Sequence, residues 1–361
     1  MVHNIGIIGT GRIAWQFDES MSVHPSSIAG AFSRLPNAKL VAAASRGTER
    51  LRAFGEKYGV QALYTNYEKM LKEQDLDVVV VTTHPPLHPE QVVAAADAGV
   101  KGIFCEKPMA LSLRECDLML DACDKNDVKM LVNCTRRWDA QYEATHRIVE
   151  SKTLGDLIHI SARWSGCKPL PEWEAKTEGP MLHDAVHLFD LLRFFAGDVE
   201  WVIGTARKRK RMDLPVEDCT TAIFQFKNGT DAAVVVDELT EYSEADIELQ
   251  FEKGMIRLGV EDGMWQSRMS DFEQPWWYEL EKIQFPSLPW RDPPLLIACR
   301  DLLESLETPS RQPKCNGRDG RAAIEIIMGI YESARLGNKK VDFPVQIKER
   351  LVDILGREGK L

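Results

Sequence analysis

Residues Ile5-Gly6-Ile7-Ile8 form a short apolar strand that runs directly into Gly9-Thr10-Gly11-Arg12-Ile13-Ala14. That order of parts constrains the fold more than any other stretch of the chain. The first glycine permits a tight turn out of the strand. The second leaves the backbone open to a ligand, and Ala14 lets a following helix pack closely on the strand. A helix N-terminus at this point presents free N–H groups and the positive end of its dipole to an anion. The segment reads as a pyrophosphate anchor for a dinucleotide, with Gly9, Thr10, Gly11, Arg12 and Ile13 around it. A tight βα turn with no ligand is the plainer alternative.

The pattern beyond the turn supports an α/β architecture. Strands are expected at 4–9, 39–45, 77–82, 101–105 and 129–133, and helices near 12–34, 48–58, 67–73, 88–98 and 112–126. Ser112 followed by Glu115 has the spacing of a capping box. Such alternation predicts a parallel, doubly wound sheet over residues 1–135, a Rossmann domain. A helix at 138–151 follows, and then strands dominate, at 157–165, 200–210, 218–227, 231–238, 245–252 and 255–260. Asn228-Gly229 and Lys253-Gly254 fall between strands as hairpin turns do. Residues 136–361 therefore read as a second domain with an antiparallel or mixed sheet, a helical insertion at 180–196 and late helices at 293–307 and 319–336.

A length of 361 residues gives room for two domains, and 44% hydrophobic with 28% charged residues is ordinary for a globular chain. The net charge of −10 argues against general nucleic-acid affinity. Cysteines at 105, 116, 123, 134, 167, 219, 299 and 315 form no CxxC, so neither a zinc knuckle nor a dithiol redox motif is indicated. Reduced, buried thiols are the expectation. No run reaches the roughly 18 apolar residues of a membrane span, and no signal peptide precedes the first strand. The expectation is a cytoplasmic protein with no membrane partner.

Several residues fall where chemistry is expected. The second strand ends in Ser45-Arg46, where an NAD enzyme places a carboxylate on the ribose. A hydroxyl and a guanidinium suit a 2′-phosphate, which favours NADP, with NAD the alternative. Thr83, His84 and His88 follow the third expected strand, and Glu106-Lys107-Pro108 follows the fourth, all on the cofactor edge of the sheet. Lys107 is placed to hydrogen-bond a substrate oxygen. In Gly179–Asp190, His183 and His187 are four apart, so they share a helical face, which Asp190 continues. They read as an acid/base with its neighbour, as a metal pair, or as satisfied buried histidines; no third metal ligand is evident. Trp164, Trp173, Trp265, Trp276, Trp277 and Trp290 offer faces for a sugar or belong to the core, and 264–290 has the makings of a lid. Arg137, Lys168 and Glu172 are placed to border a substrate.

The glycine turn at 9–14, Glu106-Lys107-Pro108 and the helix ending His187-Leu188-Phe189-Asp190 occur in an order that resembles the Gfo/Idh/MocA family, the glucose–fructose oxidoreductase and inositol dehydrogenase type. Arg136-Arg137-Trp138 and Glu217-Asp218 extend the resemblance over nearly the whole chain. It implies a second domain built on a large, mainly antiparallel open sheet, for substrate binding and for assembly into homodimers or homotetramers. It implies NAD(P)-dependent oxidation or reduction of a sugar, inositol or related polyol. Lys107 would then bind the reacting oxygen, and His187 or His183 would act as acid/base, with Asp184 beside the substrate. Two departures stand out. His183 replaces the family Asp, with the carboxylate shifted to Asp184, and Thr83-His84-Pro85 replaces Thr-Pro-Asn. A non-catalytic NAD(P)-binding sensor is the rival reading.

Overall fold

Val78–Val81 are wholly buried, as strands flanked by helices on both faces must be. The computed structural model describes residues 1–18, 24–166, 177–270, 277–288 and 291–361. Two compact units emerge, Met1–Asp139 with Trp290–Ile324, and Ala140–Pro289 with Glu325–Leu361.

The first unit holds a six-stranded sheet in the order β3-β2-β1-β4-β5-β6. Its strands are β1 His3–Ile8, β2 Ala38–Ala44, β3 Ala62–Tyr64, β4 Val78–Val81, β5 Gly102–Cys105 and β6 Lys129–Val132, and every pairing is parallel. Helices α1 Ile28–Ser33, α2 Thr48–Tyr58, α3 Tyr67–Glu73, α4 His88–Asp97 and α5 Leu113–Lys125 connect them. The expected α/β architecture is the observed one. Three-residue β3 went unanticipated because Ala62-Leu63-Tyr64 is too short to show a period. At α5, Ser112 Oγ accepts from the Glu115 N–H, while Glu115 returns its carboxylate to the Leu111 N–H and the Ser112 hydroxyl.

The continuous helix expected at 12–34 is interrupted. One turn begins at Gly11, whose carbonyl accepts from the Trp15 N–H at 3.3 Å. A short 3₁₀ segment occupies Gln16–Asp18. Helix α1 then resumes with its first N–H groups on the carbonyls of that turn: Ile28 donates to Ile13 at 3.1 Å and Ala29 to Ala14 at 2.9 Å. The hydrogen-bond line of the turn at Gly11 is thus taken up again at Ile28.

Helix Pro294–Glu307 packs on α1, β5 and β6 of the first unit, although sequence alternation alone assigned everything after 135 to the second domain. Buried Asp301 organises this return. Its carboxylate accepts from the Trp138 indole N–H at 3.1 Å, the Lys314 N–H at 2.7 Å and the Arg311 guanidinium at 2.7 Å. The Lys129 ammonium collects the carbonyls of Thr308, Pro309 and Arg311 beyond the helix end.

The second unit is a nine-stranded sheet ordered β14-β13-β12-β11-β7-β10-β9-β8-β15. Its strands are β7 Leu157–Ser165, β8 Val199–Arg207, β9 Cys219–Phe226, β10 Asp231–Asp237, β11 Glu244–Phe251, β12 Gly254–Leu258, β13 Gly263–Met269, β14 Tyr278–Ile283 and β15 Val341–Asp342. Only β7 and β10 pair in parallel. One face is buried, for example Ala222, Phe224 and Phe226, while the alternate residues Thr221 and Ile223 are exposed. The stretch expected as a lid contributes β13 and β14 at the sheet edge; Trp173, Trp276, Trp290, Lys168 and Glu172 lie outside the described residues. None of the described cysteines forms a disulfide and all are buried, and burial holds the thiols of Cys105 and Cys299 well above their usual range. Among the described residues no helix is long and apolar enough to cross a membrane.

Removing the Asp301 carboxylate strands a buried indole N–H and a backbone amide. Urea unfolding of D301A is expected to show a loss of about 2–3 kcal/mol; a loss within about 0.5 kcal/mol would show that Asp301 does not hold the helix return together.

Candidate functional site

In the first unit the carboxyl ends of β1, β2 and β4 surround a cavity of about 230 Å³. Gly9 makes it possible. Its φ is +99°, and a Cβ there would lie 2.9 Å from the carbonyl carbon and oxygen of Thr82, so only glycine fits. Thr82 completes the contact by donating its hydroxyl to the Gly9 carbonyl at 2.7 Å. Gly11 differs: a Cβ there would meet nothing within 4 Å. It lines the cavity as a cradle that a side chain would fill, which is what a closely approaching pyrophosphate needs.

At the other end of the cavity stand Ser45, Arg46 and Arg50, with no Asp or Glu at the tip of β2. Both arginines are exposed, and neither guanidinium has an ion-pair partner among the described residues. Arg50 is not among the residues the sequence motifs place here. The clue was its spacing, one helical turn beyond Arg46, across Gly47. Thr83 and His84 complete the far wall with Glu90 on α4. Arg12 and Ile13 do not line the cavity: Arg12 is exposed, with its guanidinium 5.2 Å from the Phe17 ring centre, and Ile13 is half-buried, while Thr10, which lines it, is buried.

His88 and Arg137 are placed differently from expectation. His88 is completely buried and does not line the cavity. Its Nδ1 lies 3.1 Å from the Pro108 carbonyl and its Nε2 3.1 Å from the Thr83 carbonyl, so the ring ties the Lys107–Pro108 loop to the loop after β4. Arg137 is 5% exposed; it donates to the Lys314 carbonyl at 3.0 Å and faces Asp319 at 3.6 Å. Those contacts make it an internal tie of the first unit rather than a residue bordering a substrate.

Glu106 is buried beneath Lys107. It accepts from the Asn133 amide and from the Lys107 N–H at 3.1 Å. Burial raises its carboxyl above the usual range, against the lowering effect of those donors and the Lys107 charge. The adjoining Lys107-Pro108 peptide is cis.

In the second unit, the helix expected over 180–196 divides in two, Pro180–His183 and Val186–Ala196. The Ala185 N–H reaches back to the Pro180 carbonyl at 3.0 Å, while the His187 N–H bonds Asp184 at 3.3 Å. His183 therefore closes a short helix and His187 opens the next, so they do not share one helical face. His183 Nδ1 lies 3.4 Å from the carboxylate of buried Glu178, and its Nε2 3.9 Å from Asp184. The His187 ring lies 6.3 Å from Trp164, centre to centre.

Glu217, 2% exposed, secures the start of this segment. It accepts from the Tyr331 hydroxyl at 2.6 Å and from the Met181 N–H at 3.3 Å. Residue 179 is glycine because a Cβ would run into that carboxylate. Burial pushes the Glu217 carboxyl up to about 7, despite both hydrogen bonds. The folded chain then holds this proton more tightly than the unfolded chain, whose carboxyl has the ordinary value. Its contribution to stability should decline as pH rises from the ordinary glutamate range toward 7. Urea unfolding across that range is expected to show the decline in the wild type and its loss in E217Q. An identical slope in both proteins would remove Glu217 as its source.

The chain matches known proteins along its length. The model of an oxidoreductase family with an NAD-binding Rossmann fold covers residues 3–134, and that of the Gfo/Idh/MocA C-terminal domain covers 142–257. A D-apiose dehydrogenase from Paraburkholderia graminis is 27% identical over 322 residues, 85% of this chain and 84% of the relative. A myo-inositol 2-dehydrogenase from Thermotoga maritima is 30% identical over 196 residues, 54% of this chain and 55% of the relative. The WlbA dehydrogenase of Bordetella pertussis, solved with NADH and UDP-GlcNAcA, shares the fold with a TM-score of 0.78 at 23% identity, over 96% of this chain and all of that one (100%). With its glycine turn, cavity and both domains accounted for, the chain belongs to the Gfo/Idh/MocA family of oxidoreductases with an NAD-binding Rossmann fold.

Proposed function

We propose that this oxidoreductase moves hydride between a carbinol carbon of a sugar, inositol or related polyol and a nicotinamide cofactor, with NADP preferred. The observation that carries the cofactor reading is the cavity between the Gly9–Gly11 turn and the Arg46–Arg50 pair. The turn suits the pyrophosphate. Two guanidiniums at the tip of β2 suit a 2′-phosphate, which a carboxylate there would repel. The names of the relatives, dehydrogenases of apiose and inositol, support a polyol substrate.

Bound nicotinamide supplies or accepts the hydride. The chain's own residues handle the proton and the oxygen. Lys107 binds the reacting oxygen. In the oxidative direction the hydroxyl proton leaves to an imidazole as the C–H bond gives up its electron pair, and a carbonyl forms. His187 takes the acid/base role by resemblance; His183, steadied by Glu178 at 3.4 Å, is the second candidate. Asp184 and Trp164 stand beside these imidazoles as candidate substrate contacts. The outward face of the nine-stranded sheet, with Ile158 and Ile223 exposed, serves assembly with a second copy; light scattering that finds a monomer removes this part of the reading.

A sugar and polyol panel read by NAD(P)H absorbance tests the function. K107A is expected to lose about 10²–10⁴ in kcat while still binding cofactor. H183A and H187A separate the acid/base: the one whose loss abolishes the limb of the pH–rate profile holds the role. R46A/R50A is expected to raise KM for NADP by about tenfold or more. Equal or better use of NAD by the wild type overturns the NADP preference. Cofactor binding with no turnover of any polyol leaves a non-catalytic sensor.

A further inference from the structure

We propose that Glu178 is a positioning residue. Its carboxylate holds the neutral His183 ring with the proton on Nδ1, so that Nε2 is the nitrogen that exchanges a proton with the substrate hydroxyl. This rests on reading the histidine segment as the place where the sugar or polyol reacts, and it gives the acid/base role to His183 of the two imidazoles.

Glu178 and His183 are five residues apart, and the single helical turn Pro180–His183 brings them together. The His183 N–H bonds the Gly179 carbonyl at 3.0 Å, which closes the turn. His183 Nδ1 then lies 3.4 Å from a Glu178 oxygen. The two side chains differ in access. Glu178 is 3% exposed, whereas the His183 side chain is 17% exposed. Nδ1 itself is buried, so the open part of the ring is not its Glu178 edge. A carboxylate behind the ring and an opening in front is the order that a general base requires. The carboxylate accepts Nδ1–H, and the far nitrogen keeps its lone pair for the incoming proton. At 3.4 Å the contact is looser than a finished hydrogen bond, as such pairs often are before substrate binds.

The segment that carries Glu178 is held from both sides. Thr177 gives its carbonyl to the Arg350 guanidinium, and Arg350 pairs with Asp353 at 3.1 Å. Gly179 rests against the Glu217 carboxylate, which also accepts the Met181 N–H at 3.3 Å. These ties use backbone groups of the segment and leave the Glu178 carboxylate to His183. On the other side of the ring, Nε2 lies 3.9 Å from Asp184. Glu238, paired with Arg211 at 2.9 Å, lies in the fields of His183 and Asp184. In the oxidative direction the substrate hydroxyl proton moves to Nε2. The C–H electron pair leaves as hydride to bound nicotinamide, and the O–H electrons form the second C–O bond. The charge that develops on the ring sits against Glu178, which keeps Nδ1–H throughout.

Nitrogen NMR of histidine-labelled protein tests the pair, with the His183 signals identified by their absence in H183N. At a pH where the ring is neutral, the wild type is expected to carry its proton on Nδ1. E178Q, whose amide can donate to Nδ1, is expected to carry it on Nε2. A wild-type ring protonated on Nε2, or the same tautomer in both proteins, overturns the proposal. With a polyol that the wild type oxidises, E178Q is expected to lose about 10²–10⁴ in kcat with KM nearly unchanged, and E178D to recover part of the loss. Wild-type kcat in E178Q overturns the role of Glu178 and leaves the oxidoreductase reading standing. If no polyol is oxidised, that reading fails separately and the ring signals decide the pair. A proton on Nδ1 in the wild type and on Nε2 in E178Q supports it; any other pattern overturns it.

Discussion

At residue 9 the chain leaves β1 with a φ of +99° and passes so close to Thr82 that a Cβ would lie 2.9 Å from its carbonyl. Strands β1 and β4 can end side by side only because that side chain is missing. Their adjacency sets the loops that follow them, Gly9–Gly11 on one side and Thr83–Leu87 on the other, and those loops wall the cavity. His88 extends the constraint. Buried between the Thr83 and Pro108 carbonyls, it passes the position of the β4 loop on to the segment that carries Lys107.

Elsewhere the same physical device recurs, a buried carboxylate saturated by donors. Asp301 gathers an indole, an amide and a guanidinium; Glu217 a phenol and an amide; Asp218 three amides. An unsatisfied buried carboxylate costs several kcal/mol or takes up a proton. The outcome follows the donors. With three amides Asp218 is held below the ordinary carboxylate range, whereas Glu217, with two donors, is pushed up to about 7. Glu217 and Asp218 are consecutive yet serve different neighbours. One secures the Met181 segment leading to His183, and the other shapes the Arg209–Arg211 turn.

Much of the fold was legible in local pattern. Valine runs such as Val78–Val81, the Ser112–Glu115 cap and Asn228-Gly229 announce elements through chemistry that acts within a few residues. The unforeseen parts depend on distant partners. β15 is two residues long and exists because Val341 and Asp342 find β8. The helix with His183 and His187 has continuous helical composition, yet it breaks at Asp184, where Ala185 bonds five residues back. Glu178 gave no local sign of reaching His183, because the pairing depends on burial and on the shape of the turn between them.

The sequence by itself determined the order of elements, the doubly wound parallel sheet, the glycine turn and the position of Lys107 after β5. Each follows from steric and hydrophobic rules that act within a turn or a strand. Only the tertiary structure decided that Trp290–Ile324 returns to the first unit, that Arg50 joins Arg46 at the cavity and that Arg137 is an internal tie. These are matters of which buried carboxylate or strand end meets which distant donor. Residue spacing along the chain does not encode such meetings, because they are settled by the free energy of closing and desolvating contacts between remote segments.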